Sequence, residues 1–193
     1  MSTNFTNAKA LLLKNSVLLL TSIYYIPYNI VEIKENAFAY CSNLQTVVLS
    51  DKMTTIPRNL FYYCSRLKNI QWPTNLVTIS DCAFEYSGLV NVVLPSTVKT
   101  IGSSAFEGCY YLESIILPEG LTTLNSNRVF FYCWSLKELV IPESVTSISS
   151  TDWLWVNCKS LKRLEINCRI NDLYLEQMIS LETLILKFDL LKI

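Results

Sequence analysis

The chain has 193 residues, room for one mid-sized domain or a short repeat array and too few for two conventional domains. Lys and Arg together number 16, as do Asp and Glu, so the net charge is zero, which argues against nucleic acid as a partner; an apolar content of 51% argues against disorder. Histidine is absent, which removes Ser-His-Asp and Cys-His nucleophile arrangements and every His-ligated metal site, so neither an enzyme nor a cofactor is expected.

Residues 1–20 precede the pattern that follows and are read as an N-terminal capping segment. Their apolar runs, Leu11–Leu13 and Val17–Leu20, are split by Lys14 and Asn15, whereas a signal peptide carries an unbroken apolar core. No stretch approaches the ~20 apolar residues of a membrane-spanning helix, so no transmembrane segment is expected. Without a clear leader, and with seven cysteines, an odd count, a cytoplasmic location is favoured over the alternative of the cell surface.

From Thr21 onward one unit recurs. Leu44, Leu67, Leu89, Leu112, Leu136, Leu161 and Leu181 are separated by 23, 22, 23, 24, 25 and 20 residues, the period of a stacked array. The first copy places Tyr25 in its strand and ends that strand at Pro27. In later copies apolar residues stand three and five places after each leucine, from Val47 and Leu49 to Leu184 and Leu186, the alternation of a short strand with one face inward. Pro73, Pro95, Pro118 and Pro142 follow, with Ser50 in the same slot, and proline ends the strand because it has no N–H to donate. Further apolar residues recur at threes, such as Met53 and Ile56 or Val98 and Ile101. They lead to Ala37-Phe38, Leu60-Phe61, Ala83-Phe84, Ala105-Phe106, Val129-Phe130 and Leu154-Trp155, and three residues after each aromatic comes Cys41, Cys64, Ser87, Cys109, Cys133 or Cys158. The near-helical spacing predicts a short helix or 3₁₀ turn on the outer side of each unit.

The pattern Leu-x-x-Ile-x-Leu-Pro-x-x-Val-x-x-Ile-x-x-x-Ala-Phe-x-x-Cys, most complete between Leu89 and Tyr111, resembles the treponemal-type leucine-rich repeat of the BspA-like family. The resemblance implies an α/β leucine-rich repeat solenoid over residues 21–193, in about seven to eight copies, with short parallel strands on a concave face and short helical or 3₁₀ turns on a convex one. It also implies a protein-binding role, because such proteins are associated with attachment to host matrix proteins such as fibronectin. Departures are a residue lost at Gly88, one gained near Asn125 to Arg128, two gained near Ser149 to Trp153, and a last copy without the Pro, Phe and Cys signature. These are expected to fall in turns and to leave the stack intact.

The cysteine column follows the fold period and not a Cys-x-x-Cys ligand spacing, so it reads as small buried packing, with Cys82 and Cys168 off the column. Tyr40, Tyr62, Tyr63, Tyr86, Tyr110, Tyr111, Tyr132 and Trp134 cluster around the turns and are read mainly as packing between neighbours. The positions four after each leucine point outward from the strands: Val48, Gln71, Val93, Ile116, Val140, Glu165 and Ile185, with Tyr25 as the equivalent in the first copy. An outward column this apolar is the expected partner-binding surface, with Thr46, Asn69, Asn91, Ser114, Glu138, Arg163 and Thr183 as its polar rim. Protein partners are expected, including a second copy of the chain through this stripe or through the strand Leu184 to Leu186, which no later repeat follows.

Overall fold

The computed structural model describes residues 22–125, 127–146, 148, 153–169, 175 and 177–187. The proposed cap at 1–20 and most of the two-residue gain near Ser149 lie outside the described residues. The outward-inward alternation after each leucine becomes the first strand of each coil: β1 (Ile23–Tyr25), β2 (Thr46–Val48), β4 (Asn69–Gln71), β6 (Asn91–Val93), β8 (Ser114–Ile116), β10 (Glu138–Ile141), β11 (Arg163–Ile166) and β12 (Thr183–Leu186). Neighbours are parallel, and the period of the sequence is the register of the sheet: Tyr24, Val47 and Ile70 are partners, as are Leu139, Leu164 and Leu184. The slot that proline occupies then closes a turn, its carbonyl accepting from the N–H three residues on, as in Pro95 to Val98 at 3.1 Å. Ser50 closes the same turn to Met53 at 3.0 Å, and its hydroxyl donates to the Tyr28 carbonyl of the previous coil at 2.9 Å.

Beyond the turn, four coils form a second parallel sheet from β3 (Thr55–Ile56), β5 (Thr78–Ile79), β7 (Thr100–Ile101) and β9 (Thr123–Leu124). Its threonines face outward and its Ile and Leu side chains are buried. Between the two sheets the inward residues of successive coils merge into one apolar core. Its spine is a column of fully buried rings: Phe38, Phe61, Phe84, Phe106 and Phe130 stack with centroids 5.5, 5.4, 5.5 and 6.0 Å apart. One coil has no neighbour to cover it until the next arrives, so each additional copy buries apolar surface on both, at roughly 25 cal/mol per Å².

The outer side corrects the expectation of helical or 3₁₀ turns: no helix occurs among the described residues. The reason lies in where the backbone donors point. Asn36, Phe38 and Tyr40 donate to the carbonyls of Arg58, Leu60 and Tyr62 on the next coil, at 3.2, 3.1 and 2.7 Å, while the intervening Ala37, Ala39 and Cys41 close turns within their own coil. Half of the N–H groups are therefore spent between coils and cannot build an α-helix. The bend is made by left-handed backbone at two places per coil, for example Asn36 and Tyr40, Asn59 and Tyr63, Cys82 and Tyr86. A non-glycine residue there costs on the order of 1 kcal/mol, offset by the bonds between coils. Phe and Cys three apart thus mark two successive tight turns, not a helical face.

The cysteine column packs as the sequence reading has it. Thiols of Cys64, Cys109, Cys133 and Cys158 donate to the carbonyls of Phe38, Phe84, Phe106 and Phe130 on the preceding coils, at 3.0, 3.2, 3.2 and 3.2 Å. Burial pushes Cys109 and Cys158 up to about 12, so both remain thiols and keep the proton they donate. All seven cysteines are free, and the described residues hold no cluster of metal-ligating side chains.

Candidate functional site

The outward residues of the first strands line up across the coils. Tyr25, Val48 and Gln71 are register partners on β1, β2 and β4; Val93 and Ile116 pair on β6 and β8; Val140, Glu165 and Ile185 pair on β10, β11 and β12. Pairing of Ser114 with Glu138 places Ile116 beside Val140. The strand face thus collects all eight residues into one row, crossed by a single break between β4 and β6. Tyr25, Val93 and Ile116 are 68, 63 and 59% exposed, Gln71 is exposed, and Val48, Val140 and Ile185 are half-buried. Ile116 and Val140 also line a recess of about 460 Å³, rimmed by Glu119 and Glu138. Rigidity comes from bonds along the rim, where Ser114 donates to Asn91 at 2.7 Å and Arg163 to Glu138 at 2.5 Å.

Glu165 is the exception in the row, with only 6% of its surface exposed. Lys187, 2.5 Å away, and Arg163 close over its two oxygens, and their bonds hold its carboxyl down at about 2. Its role is to tie β11 to the chain beyond β12, and it presents no free charge to a partner. Alternation alone could not reveal this, because the cations come from other positions in the period.

The break in the strand face has a local cause. In other coils two residues separate the turn cysteine from the leucine, and that leucine donates to the cysteine carbonyl, as Leu67 does to Cys64 at 2.9 Å. Here one residue is missing, and Gly88 donates instead to Cys64 on the preceding coil at 3.2 Å. The approach is so close that a Cβ on residue 88 would lie 2.3 Å from the Ser65 carbonyl oxygen, so only glycine fits. The shortened turn leaves a recess of about 400 Å³, lined among others by Arg66, Lys68, Gly88, Val90, Tyr111 and Glu113. The sequence signal was the spacing of 22 between Leu67 and Leu89, which by itself says only that a turn is short.

At the turns that lead back into the first strands, the aromatics form a second row. Tyr40, Tyr63, Tyr86, Tyr110 and Trp134 follow one another at centroid distances of 5.6, 4.4, 5.9 and 4.6 Å. Ring packs on ring across the coils, as the packing reading expects, although Tyr40, Tyr63 and Trp134 remain more than two-fifths exposed. Burial, then the neighbouring Glu85 carboxylate, push Tyr62 up to about 12, so its phenol is neutral. Tyr111 stands apart from this row, 63% exposed at the edge of the Gly88 recess.

Comparison with known proteins agrees with this architecture. The fold is similar to that of a leucine-rich repeat protein from T. pallidum, with a TM-score of 0.71 and 26% identity over 78% of this chain and 71% of that one. It is also similar to a leucine-rich repeat protein from Bacteroides ovatus, with a TM-score of 0.65, 25% identity, and coverage of 83% of this chain and 47% of that one. A leucine rich cell surface protein from Faecalibacterium prausnitzii aligns with a TM-score of 0.53 and 25% identity, over 79% of this chain and 50% of that one. The chain thus spans about half the length of the last two proteins. No curated protein sequence matches. The model of the BspA type leucine rich repeat region matches in 6 copies, over residues 16–109 and 77–193. A match of that extent, on a parallel-strand solenoid whose register repeats the sequence period, places the chain in the BspA type leucine-rich repeat family.

Proposed function

We propose that this chain is a non-enzymatic protein-recognition module that holds its partners on the strand face. The observation that carries the reading is the row of Tyr25, Val93 and Ile116, each about three-fifths or more exposed on strands whose register fixes their spacing. Apolar side chains held rigidly in water lose little conformational entropy on binding and gain by being covered, which suits an interface core. Leucine-rich repeat proteins typically bind proteins in this way, and the fold is typically non-enzymatic. Net neutrality, with the acidic and basic side chains of the rim largely paired to one another, favours protein over nucleic acid.

The test is a double substitution, Val93→Glu with Ile116→Lys, in a binding assay against the partners captured by the unmodified chain. Loss of binding with an unchanged circular-dichroism spectrum supports the strand face; unchanged binding moves the site to the turn aromatics. A second copy of the chain is one candidate partner. Light scattering at tens of micromolar reads it directly, and a monomer at all concentrations excludes it. An adhesin reading draws support from the similarity to the cell surface protein of F. prausnitzii. Binding to fibronectin-coated plates, lost in the same double variant, is its test.

A further inference from the structure

We propose that the Gly88 recess is the anion-reading end of the strand face, and that the partner it fits is an acidic protein segment carrying a branched apolar residue a few positions from its carboxylates. The inference rests on the strand-face reading and adds to it the chemistry of the partner. Along the margin where the chain enters the strands, lysines recur one residue after the leading leucine. Lys137 is matched by Glu113 at 2.5 Å on the preceding coil, and Lys162 by Glu182 at 2.9 Å on the following one. Lys68 occupies the same place in its coil, yet its column neighbours are Gln45 and Val90, and it has no carboxylate partner among the described residues. Arg66, two residues earlier, spends one nitrogen on the Asn43 amide oxygen at 3.1 Å and likewise lacks a carboxylate. Both cations border the hollow that the lost residue opens, beside the exposed Tyr111 ring.

Among the described residues the other charges of this margin pair with one another. Glu113 also lines the recess but is bound to Lys137, which leaves Arg66 and Lys68 there as cations without a carboxylate of their own. A carboxylate seated there accepts from a guanidinium and an ammonium together, the strongest class of hydrogen bond available to a side chain. The Lys68 coil lies two coils from that of Ile116, about 10 Å at the usual strand separation, and Ile116 stands three residues further along its strand, about another 10 Å. The two are therefore about 14 Å apart, with Val93 nearer, and an extended segment covers this in about three to four residues. The same segment therefore seats its acid at Arg66 and Lys68 and lays its apolar side chain on Val93 and Ile116.

The probes are two fluorescein-labelled peptides of about ten residues, long enough to span that distance at ~3.3 Å per residue. One carries an Asp-Glu pair three positions from an Ile-Val pair; the other has Lys-Lys in place of the acids. Fluorescence anisotropy is measured for the unmodified chain, for Arg66→Glu with Lys68→Glu, and for Val93→Glu with Ile116→Lys. The acidic peptide is expected to bind at least about tenfold more tightly than the lysine peptide, and to lose about tenfold or more with Arg66→Glu and Lys68→Glu and with added salt. Equal binding of the two peptides, no binding of the acidic peptide, or an affinity unchanged by the Arg66 and Lys68 substitutions overturns the inference. If the Val93 and Ile116 variant alone weakens the acidic peptide, the strand-face reading survives without the charge reader. If neither variant does, both fall. The four residues are solvent-facing, so circular dichroism of each variant is expected to match the unmodified chain.

Discussion

Substitution of Phe84 by alanine tests whether the ring column is what makes separate coils one cooperative unit. Phe84 is fully buried and touches three rings: Phe61 at 5.4 Å and Phe106 at 5.5 Å, both stacked, and Trp72 edge-on at 5.5 Å. Truncating a buried phenylalanine costs about 3–5 kcal/mol in transfer and cavity terms. Ring contacts contribute a further ~0.5–1.5 kcal/mol each, and with one lost on each side of the coil the expected total is about 4–8 kcal/mol. That is comparable to the whole stability of a small domain, so Phe84→Ala is expected to be partly or wholly unfolded at 25 °C. Phe84→Leu keeps most of the volume and loses only the ring geometry, and should cost about 2 kcal/mol. The assay is urea unfolding followed by circular dichroism and by tryptophan fluorescence, to which Trp72 contributes from its place beside the ring. Coincident transitions, displaced for Phe84→Leu by about 2 kcal/mol, are the expected result. A cost for Phe84→Ala below about 1 kcal/mol, or no larger than that of the exposed Val93→Ala, would refute the reasoning that stacking between coils stabilises the array.

Other consequences follow from the same packing. Thiol titration at about pH 8 should leave Cys41, Cys64, Cys109, Cys133 and Cys158 unreacted in the folded protein and reach all seven cysteines in denaturant; rapid native labelling of this column would contradict its burial. Glu165 has a folded-state carboxyl at about 2, below its unfolded value near ~4.3, so the stability it gives is present above pH ~4.3 and is lost as pH falls toward about 2. Glu165→Gln should therefore lower the urea midpoint at about pH 6 and flatten its fall between about pH 5 and pH 2.5. An identical fall in both proteins would show that the ion pairs with Arg163 and Lys187 carry no such coupling. Gly108 sits at φ +64, and a Cβ there would lie 2.3 Å from the Tyr86 ring. Gly108→Ala should cost about 1–2 kcal/mol and shift the Tyr86 ring resonances in NMR spectra; an alanine variant as stable as the parent would exclude that strain.

The period of leucine, proline, phenylalanine and cysteine carries the stack, the parallel register and the buried spine, because each of those features is a requirement that one coil places on identical neighbours. The spacing of Ala-Phe-x-x-Cys misled on the outer side, since two tight turns whose donors reach the next coil leave the same apolar spacing as one helical turn. Alternation likewise located the row from Tyr25 to Ile185, yet gave Glu165 the same standing as Val93. Only the assembled coils show that Arg163 and Lys187 close over one while the other stays open to water.

Sequence by itself determined which side chains turn inward, since that choice is fixed by local periodicity and by where proline forbids a ladder bond. Tertiary structure alone decided which outward charges are spent and which are left over, because ion pairing depends on what stands one coil away. Lys137 and Lys68 hold the same place in the repeat, and they differ only in whether the neighbouring coil offers a carboxylate. The notch at Gly88 is of the same kind: one missing residue is a small event along the chain, and it becomes a recess only when the coils on either side are held at a fixed separation.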